Sequence, residues 1–415
     1  MKIAEIHARQ IYDSRGVPTI ACELIFDNGS YVTSMVPSGA SVGRFEALEL
    51  RDGGERLMGK GVEKAIANIH EKIAPHFIGR EINAVEMDQQ LIELDPSPQK
   101  ENLGANATLA VSMAFFKAHA SDVGVELYDF IAQSLGLVET SVPIPLINFI
   151  NGGLHASNNL SIQEYLVVPF GVSSFSQAME IAIEIFHALK VLLKKNGKSI
   201  CTGDEGGFAP HFTDNIEPLD YLMAAIKEAG YDNSMVGLGL DVAASTFYDK
   251  EKGLYFIGDE AFVSDQLVDF YKKLINRYPI IYLEDGLAEN DWNGWINLKK
   301  TLGNQVRVVG DDLLVTNIER IAMAVEKDAV SGVIIKPNQI GTVSEAIQAV
   351  LLCQEYGLTT IASHRSGETC DTFIADFALG TRANYIKFGG CTHSERLSKY
   401  NRLLQIEYLR QVSRF

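Results

Sequence analysis

The sequence predicts an α/β protein in which a smaller α+β domain precedes a β/α barrel. Three observations carry this: a β-rich start, a change of texture near residue 135, and a long series of short apolar runs alternating with amphipathic helices. Such alternation implies a parallel sheet, and its length suits a closed barrel. An open doubly wound sheet is the competing architecture.

Residues 1–36 read as strands. Within "IACELIFDNGSYVTSMV", Asp27-Asn28-Gly29 supplies a tight turn between two β-rich runs. Helical patterns follow to about residue 135, including "NATLAVSMAFFKAHASDVG" with its 3–4 apolar spacing. The stretch "LGLVETSVPIP" reads as a linker and divides the chain into domains 1–135 and 136–415. Beyond it, "SDQLVDFYKKLINR" predicts a helix capped by Ser264, with Leu267, Phe270, Tyr271, Leu274 and Ile275 on one face. "TNIERIAMAVEK" and "TVSEAIQAVLLCQEYG" repeat the pattern, and Gly357 closes the second of these.

The 415 residues carry 53 acidic and 36 basic side chains, a net charge of -17. That field repels nucleic acid and anionic membrane, so neither is an expected partner, and an anionic substrate needs a local positive site. No apolar run reaches transmembrane length, and "MKIAEIHARQ" has no signal-peptide core. Five scattered cysteines without a C-x-x-C pair fit a reducing compartment. A cytoplasmic protein is expected.

The ends of the predicted strands are unusual. "VGLGL" ends in Asp241, "PIIYL" in Glu284, "RVVG" in Asp311, "GVII" in Lys336, "TTIAS" in His364-Arg365 and "NYI" in Lys387. In a barrel these tips converge at the C-terminal mouth, where catalytic groups sit. One charged tip is ordinary; six in series are not. Asp241, Glu284 and Asp311 offer oxygen donors only, which suits magnesium or manganese rather than zinc. Asp285 and Asp312 are expected to cap helices or support those ligands. Lys336, Lys387 and Arg365 face the carboxylates. A nearby divalent cation disfavours a lysine's ammonium form, and the neutral amine is a competent base. The pattern points to proton abstraction beside a substrate carboxylate, with the enolate stabilised by metal.

Longer words then align in order: "DSRG" (13–16), "PSGAS" (37–41), "EALELRDG" (46–53), "NGG-L-H" (151–155), "QEY" (163–165), "GDEGGFAP" (203–210), "LDVAAS" (240–245), "LEDGL" (283–287), "GDDLLVTN" (310–317), "IKPNQIGT" (335–342) and "SHRSGET" (363–369). With these the chain resembles the enolase family over essentially its whole length. The resemblance implies a variant (TIM-like) barrel whose opening strands break the parallel order. It also implies a hydro-lyase that reversibly dehydrates 2-phosphoglycerate to phosphoenolpyruvate in glycolysis, with two Mg2+ per active site. Lys336 would take the C2 proton and Glu205 would protonate the departing C3 hydroxyl. Asp241, Glu284 and Asp311 would hold the first magnesium, and Ser38, on a mobile loop, would bring in the second. Arg365 and Ser366 would bind phosphate and Lys387 the carboxylate side. His155, Gln163, Glu164 and His364 would line the pocket, with Glu164 and His364 among the catalytic groups. Gly39, Gly43 and the pair Gly152-Gly153 fit hinged lids. A homodimer or larger homo-oligomer is implied, and surface binding of host proteins is compatible with it.

Three positions depart from the family pattern: Val42 for the usual threonine, Phe388 for a small hydroxyl residue, and His393 for a common arginine. Phe388 either points away from Lys387, as strand neighbours do, or reshapes the carboxylate end of the pocket. The alternative function is therefore that of an enolase-like paralogue acting on another phosphorylated or phosphonate hydroxy acid. An acid-sugar dehydratase or racemase has no evident need of the Arg365-Ser366 grip. A non-catalytic scaffold is opposed by intact Lys336, Glu205 and three metal carboxylates.

Overall fold

A computed structural model describes residues 1–40, 43–137 and 142–412. Strands β1 (Ile3–Tyr12), β2 (Pro18–Phe26) and β3 (Tyr31–Met35) form the predicted antiparallel sheet, with β2 in the middle. The Asp27-Asn28-Gly29 turn joins β2 to β3, and Gly29 adopts φ +81°, where its lack of a Cβ matters. The helix Ala105–Asp122 is buried on nearly every side. It lies between this sheet and the barrel: Ser34 Oγ donates to the Ala110 carbonyl, and Thr108 Oγ1 donates to Gly341 O at 2.8 Å.

The barrel strands are β4 (Ile144–Asn151), β5 (Glu164–Pro169) and β6 (Val236–Asp241). After a small antiparallel sheet, β7 (Tyr248–Asp249), β8 (Leu254–Ile257) and β9 (Glu260–Phe262), come β10 (Ile280–Glu284), β11 (Arg307–Gly310), β12 (Gly332–Ile335), β13 (Thr359–Ser363) and β14 (Tyr385–Lys387). The closed ring runs β10–β11–β12–β13–β14–β4–β5–β6. Every pairing is parallel except those of β5, which is antiparallel to both β4 and β6. The reason is local. No crossover helix separates β4 from β5, and a strand that returns directly to its neighbour must run against it. Inside the ring, Leu146, Leu166, Val168, Tyr282, Val309, Ile334 and Ile361 form a separate apolar plug, so the barrel is packed rather than hollow.

Two helix-end expectations have different outcomes. Gly357 closes the helix Val343–Glu355 at φ +67°, with Leu358 N–H donating to Cys353 O at 2.8 Å. Ser264 does not cap its helix: it is the first helical residue, and its hydroxyl donates to Asp291 Oδ2 at 2.6 Å. Gln266 Oε1 instead accepts the Val263 N–H at 3.1 Å. Linker residues 138–141 and Val42 lie outside the described residues. Among the described residues no helix is long and apolar enough to cross a membrane.

The N-terminal domain caps a barrel helix. At the start of helix 343–355, Val343 N–H donates to Ser112 Oγ and Ser344 N–H to Asp88 Oδ2, each at 2.9 Å. Burial pushes Asp88 from an ordinary 3.8 up to about 6, against the pull of Ser112 and Ser344. The folded state thus binds a proton more tightly than the unfolded chain, so stability falls as pH rises from about 4 to about 6. Asp88→Asn removes that slope. The variant's stability relative to wild type should therefore climb by about 3 kcal/mol across this window. Denaturant unfolding at a series of pH values measures it, and parallel curves would refute it.

Candidate active site

All six charged tips gather at one mouth of the barrel. The register sets Asp241 beside Glu284 on one flank and beside Glu164 on the other, while Ser363 pairs with Lys387. Because β5 is reversed, its first residue, Glu164, reaches the mouth rather than its last. The lining is almost wholly polar and includes His155, Gln163, Glu205, Asp311, Lys336, His364, Arg365 and Ser366.

Two lysines neutralise the carboxylate cage. Lys387 Nζ lies 2.6 Å from Asp241, 2.9 Å from Glu284 and 3.1 Å from Glu164. Lys336 Nζ donates to Asp311 Oδ2 at 2.5 Å. Burial favours the neutral amine, but the Asp311 carboxylate overrides it and holds the Lys336 pKa above the ordinary lysine value. Asp241, Glu164 and Glu284 do the same more strongly for Lys387. Burial, and then Asp241, push Glu284 up to about 8, and Tyr282 OH donates to it at 2.6 Å. Such crowding of oxygen donors, offset only by lysines, fits a hard divalent cation such as Mg2+. Asp285 supports the cage as expected. Its backbone takes φ +46°, and its carboxylate accepts the N–H groups of Asp311 at 2.9 Å and Asp312 at 2.8 Å.

On the far side stand Glu164 and Glu205. Asn148 Nδ2 donates to Glu205 Oε2 at 3.3 Å, and His364 Nε2 lies 3.4 Å from the same oxygen. Arg396 donates to His364 Nδ1 at 2.7 Å, which places the imidazole proton on Nε2, toward Glu205. Burial, helped by Arg396, holds His364 neutral, its pKa down at about 3. Burial, and then the neighbouring Glu205, drive Glu164 well above the usual carboxylate range. Glu205 lies well below it, because His155 and His364 outweigh its burial.

The third corner is cationic. Arg365 makes a forked pair with Glu46 at 2.9 and 3.3 Å and donates to Asn338 at 3.0 Å. Ser366 Oγ accepts the Ala40 N–H at 2.7 Å. Ser38 stands outside the pocket: its hydroxyl donates to Glu49 at 3.1 Å and accepts from Arg51 at 2.9 Å. Gly152 is needed for close approach, since a Cβ there would collide with the Ile162 carbonyl and Leu160. Asn148, Arg396, Glu46 and Gln339, which donates to Asp311 at 3.2 Å, support the site but were not singled out from the sequence. The words "EALELRDG" and "IKPNQIGT" contained two of them.

The two departures among the described residues, Phe388 and His393, do not line the pocket. Phe388 is fully buried in the core behind β14, its ring 5.8 Å from that of Tyr400. His393, at φ +71°, contacts Thr202 at 3.1 Å. Two family models match the chain. One, described as the enolase N-terminal domain, matches residues 3–131; the other, the enolase C-terminal TIM barrel domain, matches residues 139–413. Together with the reversed-strand barrel and its mouth, these matches place the chain in the enolase family of hydro-lyase enzymes.

Proposed function

We propose that the protein is a phosphopyruvate hydratase, reversibly dehydrating 2-phosphoglycerate to phosphoenolpyruvate in glycolysis. The observation that carries this reading is the placement of base and acid. In the eight-strand ring, β12, which delivers Lys336, stands four strands from β5, which delivers Glu164, in either direction. A substrate held between them meets a base at C2 on one side and an acid at the C3 hydroxyl on the other.

Asp241, Glu284 and Asp311 would hold one Mg2+ and Ser38 would join a second. When bound, magnesium supplies the positive charge that lets a weakly acidic C–H beside a carboxylate ionise. Lys336, freed from Asp311, takes the C2 proton through its neutral amine. Lys387 orients the carboxylate end. Arg365 and Ser366 grip the phosphate, with Glu46 holding the guanidinium fork in place. The Glu164–Glu205 pair shares one proton and passes it to the leaving hydroxyl, and neutral His364 orients Glu205 for the transfer. His155 and Gln163 close the wall on that side. About 30 Å³ of free space remains among these side chains, room for roughly two waters.

The buried position of Phe388 gives no ground for a carboxylate end altered toward another hydroxy acid. We assign residues 1–135 to the N-terminal domain and 136–415 to the barrel, and place the enzyme in the cytoplasm as a homo-oligomer. Purified protein with Mg2+ should convert 2-phosphoglycerate to phosphoenolpyruvate, seen as a rise in absorbance of the enol product. Chelation should abolish the signal. No turnover with the fold intact and metal bound would sink this assignment in favour of the paralogue.

A further inference from the structure

We infer that Arg320 is a positioning residue for the cationic corner: through the ring of Phe45 it fixes the segment that carries Glu46, and so sets the aim of Arg365. The inference rests on the proposed reaction for its substrate, not for its geometry. The Arg320 guanidinium carbon lies 3.9 Å from the centre of the Phe45 ring and 5.5 Å from the Trp292 ring. The cation thus meets one aromatic face from each domain. Its polar edge is committed to the barrel. Nε donates to Leu313 O at 2.5 Å and a terminal nitrogen donates to Glu289 O at 3.0 Å, in the loops that follow β11 and β10. Arg44 also approaches the Phe45 ring, but only to 5.7 Å.

One guanidinium thereby holds both the segment and the surface beneath it. Gly43 lies flush on the loop after β11: a Cβ there would come within 2.8 Å of Val315 Cγ1. Val315 and Thr316 take that loop through φ +44° and +55°. This region is costly for β-branched side chains, so the loop keeps its shape only while its surroundings impose it. The bond from Arg320 to Leu313 is one such constraint. From Phe45 the chain passes at once to Glu46, whose carboxylate takes the Arg365 fork at 2.9 and 3.3 Å. Glu46 also accepts from Gly43 N–H at 3.0 Å and Gln339 Nε2 at 3.3 Å, and Ala47 N–H donates to Gln339 O at 2.8 Å. These bonds secure the buried side of the segment, whereas Phe45 on Arg320 secures its half-buried side. Losing the stack frees that side, and a bidentate fork tolerates little misalignment.

Steady-state turnover of 2-phosphoglycerate with Mg2+ should separate this role from plain packing. Phe45→Leu keeps an apolar side chain and removes the ring face. Its KM should rise about 10-fold while kcat changes by less than about 2-fold. Phe45→Tyr keeps the ring and should behave as wild type. Arg320→Lys keeps the charge but loses the planar fork, and should raise KM at least as much. Adding Phe45→Leu to it should change nothing further. An unchanged KM in Phe45→Leu, or additive effects in the double variant, would overturn the proposal. Calorimetric titration with inorganic phosphate needs no turnover. Phe45→Leu should weaken phosphate binding by the same factor. Equal binding in variant and wild type, or none in wild type, also overturns it. A difference in phosphate binding without any turnover of 2-phosphoglycerate would remove the reaction and keep the positioning role.

Discussion

Lys336→Ala is expected to lower turnover by about 10³-fold or more and to abolish exchange of the C2 proton with solvent deuterium. The magnitude follows from where the side chain is held. Val333, Ile334 and Ile335 are completely buried, so the strand that presents Lys336 is rigid scaffold. Pro337 ends the strand at once and opens a short helix, Pro337–Ile340. Lys336 N–H donates to Thr316 Oγ1 at 2.9 Å, which fixes the backbone as well. No second amine can substitute, because Lys387 is committed to three carboxylates on the other flank of the cage. Exchange measured by mass spectrometry on recovered substrate tests the base directly. Persistent exchange in the variant would move the base elsewhere.

Glu205→Gln should separate the two halves of the reaction. Elimination is expected to fall by about 10²- to 10⁴-fold, whereas C2 exchange continues. The glutamine keeps the size of the side chain and its contact with Asn148, but neither accepts nor delivers the shared proton. In the proposed relay Glu205 is half of a pair with Glu164, so substituting it breaks the relay without touching Lys336. Equal loss of exchange in Glu205→Gln and Lys336→Ala would show that the two groups do not divide the labour in this way.

The six strand tips were legible because each closes a continuous apolar run, and a charged residue there stands out in the sequence. The partners that aim those groups were not. Glu46 meets Arg365 across 319 residues and Asn148 meets Glu205 across 57, and no local pattern marks either pair. The direction of β5 was equally hidden from the residues themselves, since an apolar strand reads the same in both directions. Only the resemblance suggested the broken parallel order. Ser38 shows a different gap. Its position in "PSGAS" announces a turn, but the Arg51–Glu49 clasp that holds its hydroxyl away from the pocket depends on a fold that brings those side chains together.

The reversal of β5 shapes how this site can diversify. A strand running down from the mouth sends the next helix, Phe175–Lys195, back up toward it, and the chain delivers a second long loop there before helix Glu217–Glu228. Asn151 N–H donates to Phe208 O at 2.9 Å, which pins that loop to the end of β4. The mouth is thus assembled from two kinds of material. The lysines and the carboxylates proposed to hold metal ride on strand tips locked by the barrel, while His155, Gln163 and Glu205 ride on two neighbouring loops. Insertions and substitutions in those loops can retune the proposed leaving-group side while the proposed deprotonating side stays intact. One inverted strand therefore gives the scaffold a fixed half and an editable half.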